Sequence, residues 1–527
     1  MNFENKKILI SCREVDSMAY LFLAKRWSKN NKVAVYFIKS SETAYKKNIS
    51  NDVSYYAFKD LKDIVIYDVN DITMEFIKSL KTDKLIDKNY LDYIENTYTR
   101  FYNLNCQVIS SQSFIRQYHW RPYWGKVTYN QQLNWLTLSY KDGEKVIDSF
   151  NPDLIINTDN DEIGRCVLRE IAFKRNIPFI TIEYPRYELF KTFSYDLGLS
   201  MANPLKVSYT NNLNDIDSNL IEEYRYVNDF RAKSHIMGAM YQNDITSQYQ
   251  VESIFKAIKH LIYVFILFFK QDFIVYNYPI RKTNNILFPS NLQYLNYFIH
   301  WHFYRQLFMR KNNFFDNPVE GEKYVYMPLH LIPESSTSVL APFYINELNI
   351  IEAVSKSLPA GWYLYVKEHQ SMLGERGISF YKRVKQLPNV RLVQINYYSD
   401  PKPWIEKSQG VVTITGTSAY EAALLGKHAC IFSDVIFSCI EGIHRVHSFE
   451  ELPTIFKEFS KPLNNLKSCA SYIKTIKDFG MPVDLKYLLR TLPSTIRNKE
   501  NLNEKQLLNI DNLEKIIIKA YLSYKKS

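Results

Sequence analysis

A group of small and hydroxyl-bearing residues follows the apolar segment 411–414 and opens a helical pattern that carries one carboxylate. These residues are Thr415, Gly416, Thr417, Ser418 and Glu421. The N–H groups at a helix start, together with the positive end of the helix dipole, attract phosphate. The Ser418-x-x-Glu421 spacing also matches a capping box, which explains both side chains without any ligand. The two interpretations do not exclude each other.

Two further predicted strands end in ionisable side chains. The strand YLYV is followed by KEHQ, in which Lys367 and His369 can donate charge-assisted hydrogen bonds to phosphate oxygens. The strand YVYM is followed by LHLIPE, in which His330 and Glu334 could handle a proton or a phosphate. Ordinary polar loops account for either stretch as well.

A third set of candidates is acidic and lies in the segment NTDNDEIGR. Asp159, Asp161 and Glu162 follow a predicted strand, beside a basic residue. The Asp159-x-Asp161 triplet has the form of a DxD metal site, but three-residue patterns arise often by chance. We expect a carboxylate that acts as a base or stabilises charge, with no metal, and the alternative is an acid cluster at a helix start. Glu14 and Asp16, after the first strand, are weaker candidates.

Short apolar runs alternate with helical patterns in two regions of the chain, which predicts parallel strands joined by crossover helices. The predicted strands are 7–10, 33–38, 64–67, 154–157 and 179–182, then 324–327, 363–366, 391–395, 411–415 and 429–432. Ligands of such sheets bind beyond the carboxyl ends of the strands, where the candidates above lie. The predicted class is α/β, with two Rossmann-like domains facing a cleft.

Four segments follow from this pattern. They are an N-terminal Rossmann-like domain over 1–204, a helical, aromatic and basic insertion over 205–320, a C-terminal Rossmann-like domain over 321–490 and a helical tail over 491–527. The tail ends in an amphipathic helix with Leu513, Ile517 and Tyr521 on one face. The C-terminal Rossmann-like domain is expected to bind the nucleotide and the N-terminal one the second substrate.

The 527 residues carry a net charge of +11, with an isoelectric point near 9.0, which suits phosphorylated substrates or anionic lipid. No compact basic run or nucleic-acid motif is present, so we expect no nucleic-acid partner. The longest apolar run, Leu261–Phe269, is shorter than the roughly 20 residues of a membrane-spanning helix. It predicts a buried helix or, alternatively, one lying on the inner-membrane surface.

The six cysteines form no CxxC pair, and three of them, Cys12, Cys166 and Cys430, lie in or beside apolar strand or helix patterns. Free thiols in a reducing compartment are therefore expected. The N-terminal residues lack the apolar region of a signal peptide, so we expect a cytoplasmic protein that can attach to the inner membrane peripherally.

Four motifs of the second half occur together, in an order more specific than any one of them. YVYMPLHLIPESST, LYVKEHQSMLGER, LPNVRLV and VVTITGTSAYEAALLGK resemble the capsular polysaccharide synthesis family that includes the bacterial β-Kdo transferases. The resemblance covers roughly residues 320–455. The first domain is similar only in pattern, through FNPDLIINTDNDEIGRCVLREIAFKRNIPFITIE.

The resemblance implies a metal-independent GT-B glycosyltransferase that uses a nucleotide-activated sugar, CMP-Kdo in the Kdo transferases, and no other cofactor. His369 matches the histidine of the family's His-Pro motif, which holds the CMP phosphate, but Gln370 stands where proline is usual. Glu421 matches the glutamate placed near the nucleotide ribose. The implied acceptor is a glycan or a lipid-linked glycan of the bacterial cell surface.

Three other functions fit the same pattern. A CDP-glycerol-type polyol phosphate transferase shares the two-domain shape and the phosphate-binding histidines. A UDP-sugar 2-epimerase is an isomerase built on the same two domains. A non-catalytic partner in capsule assembly would be marked by a degenerate donor site, such as the one that Gln370 would indicate.

Overall fold

The computed structural model describes most of the chain. The described residues are 3–12, 17–38, 57–111, 127–158, 163–236, 253–269, 291–309, 314–395, 397–398 and 400–524. Two separate sheets organise these residues, one in each half of the chain.

The N-terminal sheet has seven strands in the order β13-β6-β5-β4-β1-β2-β3. Its strands are β1 Lys7–Cys12, β2 Lys32–Phe37, β3 Ile64–Asp68, β4 Leu154–Asn157, β5 Phe179–Glu183, β6 Phe190–Ser194 and β13 Met481–Pro482. β1 to β5 pair in parallel, whereas β6 runs antiparallel to β5 and β13 antiparallel to β6. The central strands are continuous apolar runs because helices cover both faces of the sheet.

The C-terminal sheet has six parallel strands in the order β12-β11-β10-β7-β8-β9. These are β7 Tyr324–Pro328, β8 Tyr363–Lys367, β9 Val390–Leu392, β10 Gly410–Val412, β11 His428–Ile431 and β12 Ile443–Arg445. The largely parallel N-terminal sheet and the fully parallel C-terminal sheet confirm the predicted α/β class with two Rossmann-like domains.

Helices connect the strands and cover the sheets. In the first half they are Met18–Trp27, Asn70–Ser79, Lys88–Tyr98, Leu104–Ile109, Tyr129–Phe150 and Ile163–Lys174, followed by Asn203–Asn214, Ile221–Ala232, Ile254–Phe269 and Asn291–Met309. In the second half they are Ser335–Ser338, Glu347–Ser357, Ile378–Lys385, Lys402–Glu406, Thr417–Leu424, Leu452–Glu458, Leu466–Phe479, Leu485–Arg497 and Glu504–Tyr524. All six cysteines are free, as expected.

The chain returns to its N-terminal half after the helix Leu466–Phe479. β13 joins the N-terminal sheet, and the last helix packs against β5, β6 and the helix Met18–Trp27. Leu513, Ile517 and Tyr521 of that last helix are buried, as their spacing predicts. The predicted segment limits remain predictions, with the addition that the sheet pairing places residues 481–482 in the N-terminal half.

The described residues of the middle of the chain are mostly helical, as predicted. The helices Asn203–Asn214 and Ile221–Ala232 pack on Leu466–Phe479, and the helices Ile254–Phe269 and Asn291–Met309 pack on each other. Within the part of the chain that the structure describes, no helix is long and apolar enough to cross a membrane.

Candidate functional site

The candidate residues of the second half lie at one edge of the C-terminal sheet. β7 and β8 are parallel and in register, with Pro328 beside Lys367, so the segments that follow them leave the sheet together. β10 lies on the other side of β7, and the helix Thr417–Leu424 begins just beyond it. This edge is formed by the carboxyl ends of parallel strands, where such sheets bind ligands.

His330 holds this edge together through both nitrogens of its ring. Nδ1 lies 3.3 Å from Oε1 of Glu347, and the same oxygen accepts the His330 backbone N–H at 2.7 Å. Nε2 lies 3.2 Å from Oγ1 of Thr413 and 3.5 Å from the backbone nitrogen of Thr415. Because both ring nitrogens face protein groups, this geometry suits a residue that positions the turn after β10; the catalytic role remains a prediction.

Arg376 ties two buried carboxylates to the same edge. Its Nη2 donates to Glu347 at 2.7 Å, and its Nε donates to Glu368 at 2.8 Å. Glu368 in turn accepts the backbone N–H of His369 at 2.7 Å. Burial alone would raise the pKa of both carboxyls; the charges of Arg376 and His330 bring the pKa of Glu347 below its usual value, whereas that of Glu368 stays raised.

The helix start after β10 differs from the predicted capping box. Gly416 is the N-cap residue and no side chain caps the helix, so the capping-box interpretation of Ser418 and Glu421 is wrong. The N–H of Gly416 instead donates to Oγ1 of Thr413 at 3.1 Å. That hydroxyl lies 3.2 Å from Nε2 of His330, so a tertiary contact fixes this turn. A Cβ on Gly416 would collide with that hydroxyl, which explains the glycine.

Some side chains of this turn hydrogen-bond to other protein groups, and others could contact a ligand. Oγ1 of Thr415 donates to the carbonyl of Ser336 at 2.6 Å, and this side chain is buried. Ser418 is also buried, but its hydroxyl has no hydrogen-bond partner. Thr417 is half-buried at the first helical position. A buried hydroxyl without a partner costs free energy, which a bound ligand at the helix start would offset.

Lys367, His369 and Glu421 belong to the same edge, and the charges of Lys367 and Glu421 act on each other. His369 is exposed and the other two are half-buried, yet burial among protein atoms is the largest cause of each pKa shift. Each of these side chains therefore combines contact with solvent and close surrounding protein. This arrangement brings together three residues that the sequence predicted to bind the donor.

The protonation of these groups is strongly perturbed. Burial, opposed by the charges of Asp400 and Glu421, lowers the pKa of Lys367 to about 8. Burial and the negative charge of Asp400 raise the pKa of Glu421 to about 8, against the opposing charges of Arg186 and Lys367. Burial and nearby positive charge lower the pKa of His369 to about 4, so its imidazole is neutral at pH 7.

Arg186 faces this group from the N-terminal half of the chain. It lies in the loop between β5 and β6 with a φ of 68°, and its side chain is exposed. The hydroxyl of Tyr472 donates to the carbonyl of Pro185 at 2.7 Å and fixes the loop against the helix Leu466–Phe479. The Arg186 charge opposes the raised pKa of Glu421 in one domain and of Glu183 in the other.

Glu183, the last residue of β5, is a candidate that the sequence analysis missed. Its side chain is buried, and its Oε1 accepts from the Ser194 hydroxyl at 2.8 Å. Burial is the main cause that raises its pKa to about 7. The available signal was its position at the carboxyl end of a parallel strand, which is the same signal that singled out Lys367.

Of the remaining predicted residues, the structure describes Glu334, which does not join this group. Glu334 is exposed and accepts from the Ser336 hydroxyl at 2.7 Å. The acids Asp159, Asp161, Glu162, Glu14 and Asp16 lie outside the described residues, and their roles stay predictions. Among the residues that the structure does describe, no cluster of three or more His, Cys, Asp or Glu side chains could hold a metal ion.

Comparisons with known proteins reach only distant likenesses. No family model matches the sequence, and no curated protein matches it either. Among solved structures, the UDP-GlcNAc 2-epimerase of Neisseria meningitidis bound to UDP-GlcNAc is 12% identical, with 89% of this chain and 99% of that chain covered and a TM-score of 0.23. The Thermosulfurimonas dismutans KpsC β-Kdo 2,7 transferase is 8% identical, with 63% and 79% covered and a TM-score of 0.28.

A third similar structure is the S. aureus MnaA–UDP co-structure, which is 12% identical, with 89% of this chain and 91% of that chain covered and a TM-score of 0.25. Likenesses at this level do not identify a function for this chain. The two parallel sheets and the residues at their edges therefore carry the functional argument.

Proposed function

We propose that this protein is a glycosyltransferase of bacterial surface polysaccharide synthesis. It transfers Kdo or a related nonulosonic acid from a CMP-activated donor to a glycan or lipid-linked acceptor. The observation that carries the proposal is the group of Lys367, His369 and Glu421 at the carboxyl edge of the C-terminal sheet, with Arg186 facing it from the other domain. The resemblance of the motifs around these residues to the β-Kdo transferase family suggests the donor.

The charges of the site suit a departing nucleotide. As the bond between sugar and phosphate breaks, negative charge develops on the CMP phosphate, and fixed positive charge there lowers the barrier. Lys367, Arg186 and the start of the helix Thr417–Leu424 supply that charge from the protein itself. No metal ion takes part in the proposed reaction.

His369 contributes a hydrogen bond rather than a charge. Its Nδ1 accepts the backbone N–H of Ser371 at 3.2 Å, so the proton of the neutral ring lies on Nε2. An Nε2–H group can donate to a phosphate oxygen without the desolvation cost of a cation. Glu421, whose pKa is raised to about 8, is largely protonated at pH 7 and can both donate to and accept from ribose hydroxyls.

The acceptor hydroxyl needs a base on the opposite wall of the cleft. The proposed bases remain Asp159, Asp161 and Glu162, which follow β4 in the sequence. Glu183 at the end of the neighbouring β5 joins them as a candidate, since a carboxyl with a pKa of about 7 can take up a proton near neutral pH.

Calorimetric titration of the purified protein with CMP, CDP and UDP tests the donor site. The variants are Lys367→Met and His369→Ala, with Lys382→Met on the helix Ile378–Lys385 as the matched control. We expect CMP to bind most tightly, both site variants to weaken it at least tenfold, and the control to bind as the wild type does. Incubation with CMP-Kdo and glycan acceptors then tests transfer.

Other outcomes would redirect the proposal. A preference for CDP would favour a polyol phosphate transferase, and a preference for UDP would favour a 2-epimerase. A folded protein that binds none of the three nucleotides would overturn the catalytic function and favour a non-catalytic partner in capsule assembly.

A further inference from the structure

The helix Ile254–Phe269 presents an apolar stripe to solvent. Five of its large apolar side chains are exposed: Phe255, Ile258, Ile262, Phe265 and Ile266. At about 100° per residue, these positions span only about 100° of the helix circumference. The exposed fraction of Phe255 is 86%, so this stripe is not part of the protein core.

The neighbouring helix Asn291–Met309 extends the same kind of surface. Ile299, Phe303 and Leu307 are exposed and four residues apart, so they lie along one side of the helix. The exposed fraction of Phe303 is 63%. Since the two helices pack on each other, we define the helix-pair face as these three residues and the five of the first helix.

The opposite side of the second helix is anchored in the C-terminal domain. Phe308 is buried, with its ring centroid 5.2 Å from that of Tyr381. The Trp301 carbonyl lies where a Cβ of Gly374 would be, in the segment that follows His369. The helix-pair face is therefore carried on a helix that packs beside the proposed donor site.

The part of the sequence that contains this face is strongly basic. Between residues 253 and 313 the sequence has a single acid, Asp272, against the cations Lys256, Lys259, Lys270, Arg281, Lys282, Arg305, Arg310 and Lys311. Lys256 and Lys259 are exposed on the first helix, and Lys259 borders its apolar stripe. Apolar side chains flanked by lysines suit the boundary between lipid headgroups and acyl chains in an anionic bilayer.

We propose that the helix-pair face docks onto the surface of an anionic lipid bilayer. The apolar side chains enter the headgroup boundary, the lysines contact lipid phosphates, and neither helix spans the membrane. Docking in this way would hold the cleft next to a lipid-linked acceptor. The proposal stands on the helices alone and does not depend on which nucleotide the cleft binds.

Sedimentation of the full-length protein with vesicles tests this proposal. One set of vesicles is pure phosphatidylcholine, and the other contains phosphatidylglycerol as the anionic lipid. We expect binding to the anionic vesicles, and weaker binding as salt is raised. Phe255→Ser/Phe303→Ser should reduce the bound fraction at least tenfold, whereas Ile221→Ser/Leu508→Ser, which changes two exposed apolar residues on other helices, should leave it unchanged.

Separate variants test the electrostatic contribution of the lysines to vesicle binding. Lys256→Gln/Lys259→Gln should weaken binding about fivefold for each lysine removed, while Lys88→Gln/Lys382→Gln should have no effect. Circular dichroism and nucleotide titration verify that every variant is folded. Absence of vesicle binding by the wild type, or equal binding by all variants, would overturn the proposal. A wild-type dimer in sedimentation velocity that Phe255→Ser/Phe303→Ser converts to a monomer would also overturn it, because a second copy would then cover the face.

Discussion

The Arg376 guanidinium donates to the buried Glu347 carboxylate across 2.7 Å in the interior of the C-terminal domain. The Nε of the same guanidinium donates to Glu368. Glu347 accepts the backbone N–H of His330, and Glu368 accepts the backbone N–H of His369. The charge balance of this network therefore sets the backbone from which the proposed donor site is built.

Replacing the arginine should be strongly destabilising. Arg376→Met leaves two buried carboxylates without their cation, and we expect a loss of about 3–5 kcal/mol in the free energy of unfolding. Arg391→Met is the matched control, because Arg391 pairs with Glu322 in a less buried position and should cost about 1 kcal/mol. Urea denaturation measures both, and similar losses for the two variants would contradict this account.

Substitutions of Ser418 and Thr415, in the turn after β10, should affect CMP binding and stability separately. Ser418→Ala removes a buried hydroxyl that has no partner, so we expect no loss of stability but CMP binding about tenfold weaker. Thr415→Val removes the donor to the Ser336 carbonyl and should cost about 1–3 kcal/mol in stability. Denaturation and calorimetry are made on both proteins. Unchanged CMP affinity in Ser418→Ala would remove this hydroxyl from the site.

Nucleotide affinity should fall as the pH rises from about 7 to about 9. Lys367 and Glu421 both have a pKa of about 8, so over this range the lysine loses its positive charge and the carboxyl gains a negative one. Both changes oppose a nucleotide phosphate, which is already fully ionised near pH 7 because its second pKa is about 6. Calorimetry at constant ionic strength measures the slope.

Substitutions show which side chains cause this pH dependence of nucleotide affinity. Lys367→Met and Glu421→Gln should each flatten the profile in part, and the double variant should remove it. Lys382→Met serves as the control and should keep the wild-type profile. An affinity that increases with pH, or a double variant with an unchanged slope, would contradict the proposed contact with phosphate.

The sequence could predict the parts of the fold that rest on local patterns. The strand predicted over 154–157 is β4 with the same limits, because turn residues bound its apolar run. Lys367 and His369 became candidates because parallel strands bring their carboxyl ends to one edge, and β7 and β8 do pair in this way. β13, which has two residues, was not found, since its pairing with β6 depends on a chain return of almost 300 residues.

Tertiary contacts explain what the sequence could not predict at the site. The capping-box spacing at Ser418 is real, but the N-cap residue is Gly416, two positions earlier. Its N–H donates to Oγ1 of Thr413, and that hydroxyl lies 3.2 Å from Nε2 of His330. Arg186 lies in a loop without periodicity, and Tyr472, nearly 290 residues later, donates to the carbonyl of the residue before it. Neither contact leaves a mark on the local pattern.

The segment that follows His369 should depend on a glycine for two separate reasons. Gly374 has a φ of 83°, and a Cβ there would also collide with the Trp301 carbonyl of the helix Asn291–Met309. Gly361 has a φ of 82° with no atom near the position of a Cβ, so Gly361→Ala measures the backbone strain alone, about 1 kcal/mol. We expect Gly374→Ala to cost at least about 1 kcal/mol more in urea denaturation, because the helix must also move. Equal losses in the two variants would mean that this helix does not pack on the donor-site segment, and the link between the helix-pair face and the cleft would be lost with it.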